Sequence, residues 1–233
     1  AQRGATVVLG VGFSQADAID KVAAEFPDTQ FAIIDVSWLD RPNLRQYAFK
    51  EHEGSYLVGV AAAKASETGT VGFVGGMDIP LIRKFACGYV QGVKETNADA
   101  EVFETMTGTT PAAWNDPTKG AELTRSQIDR GADVVYHAAG GSGLGVIRAA
   151  ADQGKLAIGV DSAQYSVAPG SVLTSMLKRV DYAAYDTFMD AKNGEFTSGV
   201  QILGLAEEGV DYVADDQNKD VLTEEMRAAI DAA

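Results

Sequence analysis

The sequence predicts a doubly wound α/β fold, and three observations carry that prediction. Short runs rich in valine and isoleucine, such as Phe31–Val36 and Val134–His137, alternate with helical segments along the chain. These runs are continuously apolar, which is typical of parallel strands that are covered on both faces. Helix signals stand between them, as where Asp116 precedes Pro117, a capping residue followed by proline in the first turn. Together these features place the chain in the α/β class.

The elements follow one another in a regular order. Strands are predicted at Thr6–Val11, Phe31–Val36, Gln46–Lys50, Thr70–Val74, Glu101–Thr105, Val134–His137, Ala157–Val160, Val172–Ser175 and Gln201–Leu205. Each is a short run suited to a strand, and a helical segment fills most of the stretches between runs. The helices are predicted at about Gln15–Phe26, Gly54–Ser66, Pro80–Thr96, Pro117–Arg130, Gly145–Gln153 and Asp181–Asn193.

A polar stretch of small residues, Lys64–Gly69, separates the first series of strands and helices from the second. We therefore predict a lobe boundary there. The first lobe is expected to comprise residues 1–68 plus about 170–197, and the second residues 69–169 plus about 198–233. Because the chain crosses between them more than once, a hinge of several strands is expected.

Composition limits the classes of function. The 233 residues are 46% hydrophobic and 22% charged, as in ordinary globular proteins. The formal net charge of −14 argues against nucleic acid as a partner, because a phosphate backbone would be repelled. No run is long and apolar enough to span a bilayer, and the sequence contains no signal peptide. Cys87 is the only cysteine, so no intramolecular disulfide can form, and we expect it on a packed helix face.

The glycine-rich segment Gly140–Gly145 lies between a strand and a helix, where a dinucleotide could bind. Its spacing does not match G-x-G-x-x-G, so we predict no nicotinamide or flavin cofactor. No Walker lysine motif and no G-x-S-x-G motif occur. His52 and His137 are the only histidines, and neither stands in a set of residues with metal-ligand spacing. The sequence therefore predicts neither a metal site nor an enzyme.

Ligands of open α/β sheets bind at the carboxyl ends of the strands, and that rule selects several candidate residues. Trp114 is either a partly buried surface anchor or a stacking platform for a planar ligand. Asp161 either accepts hydrogen bonds from vicinal hydroxyl groups or caps the turn after its strand. Lys178 is either a solvated surface lysine or a partner of Asp161 across a cleft.

Two further positions have an ordinary explanation beside a functional one. Glu53 precedes a predicted helix, where interaction with the helix dipole explains an acidic residue. Gly141 either allows backbone N–H groups to approach a ligand or permits a tight turn from strand to helix.

The motifs around these residues resemble those of the basic membrane protein (BMP) family of solute-binding lipoproteins, which includes purine nucleoside receptors of bacterial ABC importers. The resembling segments are Phe31–Asp35, Glu53–Gly59, Gly72–Gly76, Asn115–Gly120, Gly131–Val135, Ala138–Gly143 and Gly159–Gln164. They occur in the same order as in the family and extend from about Gly10 to Gly209. Each segment is a modest match alone, but their joint occurrence is specific to this family.

The resemblance implies a type I periplasmic-binding-protein fold, in which two lobes joined by a hinge close on a ligand without catalysis. It also implies that Trp114 stacks on a nucleoside base, that Asp161 and Lys178 bind the ribose, and that Glu53, Phe13 and the backbone at Gly141 contribute contacts. The expected partners are a nucleoside and an ABC transporter permease. The expected location is periplasmic or at the cell surface, with any lipid anchor outside this sequence.

By comparison with the family, the first strand–helix unit of the first lobe is expected to be absent from this sequence. In the family, that unit recognises the edge of the base, so the resemblance does not distinguish a purine from a pyrimidine nucleoside as the ligand. A ligand sensor that acts on a signalling partner, and an α/β enzyme acting on nucleosides or sugars, are the alternatives to a transport receptor.

Overall fold

Two structural units, each built on its own sheet, make up the computed structural model, which describes residues 1–233. The first unit consists of Ala1–Lys50 and Arg179–Gly209, and the second of Glu51–Lys178 and Val210–Ala233. The chain therefore passes from one unit to the other three times.

The strands, numbered in chain order, are β1 (Val7–Val11), β2 (Gln30–Ile34), β3 (Leu44–Phe49), β4 (Thr70–Met77), β5 (Glu101–Gly108), β6 (Val134–Ala138), β7 (Leu156–Asp161), β8 (Val172–Lys178), β9 (Gly199–Leu203) and β10 (Val210–Tyr212). The helices are α1 (Ala16–Glu25), α2 (Glu51–Ala65), α3 (Pro80–Thr96), α4 (Pro117–Asp129), α5 (Gly143–Asp152), α6 (Val180–Asn193) and α7 (Glu224–Asp231). Every predicted strand and helix is present, whereas β10 and α7 were not predicted.

The first unit is a four-stranded sheet in the order β1-β2-β3-β9, with all neighbouring strands parallel. Phe31 and Ile33 of β2 point to one face, where they join the apolar cluster of α1. Tyr47 of β3 pairs with Ile34 and so points to the opposite face, where its hydroxyl meets Thr187 of α6. One helix therefore covers each face of this sheet.

The second unit is a six-stranded sheet in the order β10-β8-β7-β6-β4-β5, in which only β10 is antiparallel. Phe73 of β4 packs on Tyr89 of α3, with the ring centres 6.2 Å apart. The preceding residue, Gly72, lies on the opposite face against Gln127 of α4. Because neighbouring residues of a strand point to opposite faces, helices cover both faces of this sheet. The predicted doubly wound arrangement is confirmed.

Helices α2 and α3 pack backbone to backbone. A Cβ atom at Gly59 of α2 would overlap the carbonyl oxygen of Tyr89, and one at Gly92 of α3 would overlap that of Tyr56. Gly88, one turn before Gly92, lies in the same way against His52. Glycine at these three positions is therefore required by the close approach of the two helices.

The boundaries of the two units differ from the predicted lobes. The sequence placed residues 51–68 and about 170–178 in the first lobe and residues 198–209 in the second, but the structure places each of these segments in the other unit. The reason is packing: α2 lies against α3, β8 pairs with β7, and β9 pairs with β3. The polar stretch after α2 is a surface turn that leads into β4.

The expectation for Cys87 is wrong. It lies on α3, but its side chain is exposed. The buried face of this helix is formed by Ile82, Phe85, Ala86 and Tyr89, which recur at helical spacing. Cys87 lies outside that stripe, a distinction that its apolar sequence neighbours concealed.

Candidate functional site

Four of the six predicted ligand-binding residues lie at one edge of the second unit's sheet. Strands β4, β6, β7 and β8 are parallel, so their carboxyl ends meet at this edge. Asp161 and Lys178 end β7 and β8, and Gly141 follows β6. Trp114 lies in a short 3-10 helix, Pro111–Asn115, that follows β5. We refer to these four residues as the edge cluster.

Trp114 is half-buried, and its ring lies against the backbone of β4. A Cβ atom at Gly76 would overlap the six-membered part of the indole, so glycine at this position makes room for the ring. The polypeptide around the ring is held by Thr107, whose hydroxyl lies within hydrogen-bond distance of the carbonyl oxygens of Gly76 (3.0 Å) and Ala113 (2.8 Å) and shares its one proton between them. Trp114 is thus placed by a rigid support, as a stacking platform requires.

Ser142 ties the loop after β6 to the loop that carries Trp114. Its buried hydroxyl donates to the carbonyl oxygen of Ala113 at 2.7 Å and accepts from the N–H of Asp116, also at 2.7 Å. The backbone of Gly141 comes close to the carbonyl oxygen of Trp114, 3.2 Å from where a Cβ atom would lie. Asp116 caps α4 by accepting from the N–H of Lys119 at 2.9 Å, which confirms the predicted cap.

Asp161 has an unusual backbone. Its φ angle is +67°, in the left-handed region that few residues other than glycine adopt. The N–H of Ser162 donates to the carbonyl oxygen of Val160 at 2.8 Å, so that Asp161 is the middle residue of a three-residue turn. The side chain is exposed at the end of β7. Backbone strain of this kind recurs at ligand-binding sites, where the surrounding structure maintains it.

Hydrogen bonds of Gln164 stabilise the turn at Asp161. The Oε1 atom of Gln164 accepts from the N–H of Val160 at 2.8 Å and lies 2.9 Å from Nε2 of His137, while the N–H of Gln164 donates to Oγ of Ser175 at 3.1 Å. His137 is completely buried, and that burial lowers the pKa of its imidazole to about 4. The ring is therefore neutral at physiological pH, with Nε2–H as the donor to Gln164.

Lys178 is buried and belongs to a network of charges. Its Nζ lies 3.2 Å from Oε1 of Glu51 and 5.8 Å from the centre of the Phe85 ring. The other carboxylate oxygen of Glu51 lies 3.3 Å from Nζ of Lys84. Of the two alternatives for Lys178, a solvated surface lysine is therefore wrong, since only 5% of its side chain is exposed.

The negative charges of this region act on a neighbouring tyrosine. Burial raises the pKa of the Tyr136 hydroxyl, and the carboxylates of Asp161 and Glu51 raise it further, although a hydrogen bond with Ser55 opposes them. The charges of Asp161 and Glu51 thus both act on the Tyr136 hydroxyl. No three residues among the His, Cys, Asp and Glu side chains come together in a way that could hold a metal ion.

The remaining two predicted residues do not follow the parallel strands of the second unit's sheet. Glu53 is in the first turn of α2 and is half-buried. Phe13 belongs to the first unit, where it begins a 3-10 helix after β1 and packs partly against the apolar cluster of α1. Packing against that cluster accounts for part of the burial of Phe13.

Sequence reasoning missed Glu51, Lys84 and the pair formed by His137 and Gln164. Glu51 and Glu53 flank His52 equally at the start of a helix, and only the fold turns Glu51 inward. His137 ends an apolar run, which gave no sign of its contact with a loop 27 residues later.

The fold defines the class of protein. A solved structure of an ABC transporter system solute-binding protein from Aeropyrum pernix K1 matches 97% of this chain and 68% of its own, with a TM-score of 0.83 and 29% identity. A structure from Bacillus halodurans, described as a transcriptional activator of the comK gene, covers 100% of this chain and 78% of its own, with a TM-score of 0.87 and 26% identity. The fold is that of solute-binding proteins of the type I periplasmic-binding class, as predicted.

Sequence comparison identifies the family. The model of the Bmp family, described as ABC transporter substrate-binding protein PnrA-like, matches residues 1–232, and the chain belongs to this family. A CD4+ T-cell-stimulating antigen of Listeria monocytogenes is 36% identical over 93% of this chain. The ABC transporter nucleoside-binding protein BmpA of Lactococcus lactis is 33% identical over 99% of this chain and 70% of its own length. The chain spans only 65% of the length of the Listeria relative.

None of the helices combines the length and the apolar character that crossing a membrane requires.

Proposed function

We propose that this chain is the greater part of a receptor that binds a nucleoside and delivers it to an ABC importer. The observation that carries the proposal is the edge cluster, where a supported indole, an aspartate on a strained turn and a buried lysine lie at the carboxyl ends of parallel strands. The Lactococcus relative, which is described as nucleoside-binding, supports the choice of ligand.

Each residue of the edge cluster suits one part of a nucleoside. The Trp114 ring offers a flat apolar face for the base, and a purine gains more from stacking than a pyrimidine because its ring system is larger. The Asp161 carboxylate accepts hydrogen bonds from the two vicinal hydroxyls of ribose, and the Lys178 ammonium donates to them. Gly141 contributes a backbone N–H. We assign ligand contacts to Glu53 and Phe13 from the family resemblance alone.

The partner of such a receptor is the permease of an ABC transporter, and we place the protein in the periplasm or at the cell surface. Any lipid anchor would belong to a part of the protein outside this sequence. The receptor performs no catalysis. It releases its ligand unchanged, and the transporter ATPase supplies the energy for uptake.

Two measurements test this function. Mass spectrometry of the molecules released from the denatured native protein should identify a nucleoside, and calorimetric titration should give saturable binding of inosine or adenosine. The nucleoside should be recovered intact after prolonged incubation. Failure of every nucleoside to bind would refute the proposal, and conversion of the nucleoside to another product would identify an enzyme instead.

Asp161→Asn tests the edge cluster directly. Asparagine tolerates the left-handed backbone, so the turn should persist while the charge is lost. We expect nucleoside binding to weaken by about 2 kcal/mol, the scale of a charge-assisted hydrogen bond, with an unchanged melting temperature. Asp152→Asn, at an exposed position at the end of α5, is the matched control. Unchanged affinity in Asp161→Asn would reduce Asp161 to a turn residue.

A further inference from the structure

Glu51 is the most deeply buried carboxylate beside the edge cluster. Only 1% of its side chain is exposed, although it is the first residue of α2. Its two oxygens lie within 3.3 Å of two different ammonium groups, those of Lys178 and Lys84. One carboxylate thus stands between two lysines, of which Lys178 is buried and Lys84 is 44% exposed.

Stability alone does not explain this arrangement. Removing a carboxylate and an ammonium group from water is costly, and a buried pair often contributes no more to stability than apolar residues of the same volume. The dipole of α2 does not require burial either, because an acidic residue in the first turn acts on a helix start from the surface. Glu53, in the same turn, is less buried.

The geometry indicates what the carboxylate does. Its Oε1 atom makes no directed hydrogen bond, although Nζ of Lys178 is 3.2 Å away. The contact is therefore an ion pair, which fixes where the ammonium group lies more than the direction of its N–H bonds. The Phe85 ring, 5.8 Å from the same Nζ, bounds the position from another side.

Lys178 lies beside Asp161, the other residue of the edge cluster that ends a strand. Lys178 is the last residue of β8, and its neighbour Leu177 pairs with Asp161 at the end of β7. The ammonium of a lysine without a fixed partner would sample many rotamers, and ordering it on binding would cost free energy. A carboxylate that is paired with the ammonium group orders the lysine side chain before the ligand binds, and so lowers the free-energy cost of binding.

We propose that Glu51 is a positioning residue for ligand binding, whose charge holds the ammonium of Lys178 at the carboxyl end of the sheet. The ligand part of this inference rests on the proposed function, since Lys178 is there assigned to the ribose. The positioning itself is a property of the protein without ligand, and it can be measured without one.

The first experiment uses the ligand-free chain. Correlation spectra of the lysine side-chain ammonium groups, assigned by Lys178→Met, report the environment of Nζ. We expect Glu51→Gln to shift the Lys178 signal or to remove it by faster exchange with water. Glu122→Gln, which breaks an exposed pair with Lys119 at a comparable distance of 3.3 Å, should leave the signal unchanged. A Lys178 signal that is the same in wild type and Glu51→Gln would overturn the positioning role.

The second experiment adds inosine and 2′,3′-dideoxyinosine. We expect Glu51→Gln to weaken inosine binding about 10-fold, the scale of one charge-assisted contact, and to affect the dideoxy compound much less. In the Lys178→Met background Glu51→Gln should cause no further loss, because both changes remove the same contact. Equal losses for both ligands, or additive losses in the double variant, would show that Glu51 does not act through Lys178.

The two experiments separate the proposals. If no nucleoside binds to the wild-type chain but Glu51→Gln moves the Lys178 signal, the proposed function fails and the positioning role stands. If Glu51→Gln does not fold, Glu51→Asp is the alternative variant, because it keeps the carboxylate but shortens the side chain by one methylene group. We then expect the NMR signal of Lys178 to shift and inosine to bind more weakly. An unshifted signal would overturn the inference.

Discussion

The two units differ in how well they cover their own apolar residues. All of the large hydrophobic side chains that are most exposed belong to the first unit: Val11, Trp38, Tyr182, Tyr185, Phe188, Val200, Ile202 and Leu205. The second unit, with six strands and helices on both faces, contributes none of them. The first unit has a four-stranded sheet with one helix on each face, and its edge strands β1 and β9 carry three of these exposed side chains, Val11, Val200 and Ile202.

The register of β9 shows where coverage fails. Val200 and Ile202 pair with Gln46 and Ala48, so they point to the same face as Leu44. Leu44 is buried in the cluster of α1, but that helix does not extend over the edge strand β9. Exposed apolar side chains therefore distinguish the first unit. Buried polar side chains occur in both units, and those of the first unit include Arg45 and Gln46.

Arg45 is the strongest of those polar contacts in the first unit. Its guanidinium is almost completely buried and pairs with Asp186 and Asp190 of α6, at 3.1 and 2.8 Å. It also donates to the backbone and hydroxyl oxygens of Thr197, and it lies 4.6 Å from the ring centre of Phe196. One side chain thus joins β3, α6 and the segment before β9.

The largest effect is expected for Arg45→Ala. Loss of a buried charge that several groups share should destabilise the first unit by about 3 kcal/mol or more. Hydrogen exchange should show lost protection in β3, β9 and α6, with protection in the second unit retained. Arg41→Ala, which breaks a partly exposed pair with Asp20, is the control and should change stability much less. Equal loss of protection in both units would refute the claim that the units differ.

The second unit should be the more sensitive to acid. The folded pKa of His137, about 4, lies below its ordinary value of 6.5, so the unfolded chain binds the proton first as the pH falls. Stability is therefore complete above pH 6.5 and decreases down to pH 4, by about 3 kcal/mol in total. His137→Gln should flatten this part of the curve of unfolding free energy against pH. A curve that keeps its slope in the variant would assign the acid sensitivity to other groups.

The smallest changes in stability are expected when either of two tyrosines in the core of the second unit is replaced by phenylalanine. The ring centres of Tyr89 and Tyr136 are 5.1 Å apart, but the buried hydroxyl of Tyr89 has no hydrogen-bond partner, whereas that of Tyr136 lies 3.1 Å from Oγ of Ser55. Tyr89→Phe should leave stability unchanged or raise it by up to about 1 kcal/mol, and Tyr136→Phe should lower it by about 1 kcal/mol. Thermal unfolding of both variants measures the difference. A clear loss in Tyr89→Phe would indicate a water molecule bound at its hydroxyl.

Much of the fold and part of the site could be predicted from the sequence. Continuous apolar runs such as Phe31–Val36 and Val134–His137 predicted strands, because the strands of a parallel sheet covered on both faces are rich in apolar residues. The rule that ligands bind at carboxyl ends of strands selected Trp114, Gly141, Asp161 and Lys178, and all four lie at one sheet edge. The predicted unit boundaries were less accurate. A polar turn after a helix has the same sequence pattern whether it lies on the surface of one unit or connects two units.

The tertiary structure alone decided which side chains are buried and what they meet. Glu51 and Glu53 are equivalent in sequence, yet packing of α2 against β8 turns only Glu51 toward Lys178. Cys87 and Phe85 share one helix, but the direction of α3 exposes the first and buries the second. The sequence by itself determined the class, the order of elements and the candidate loops, because these depend on local pattern. Contacts between distant segments depend on how helices lie on the sheet, and no local pattern records that.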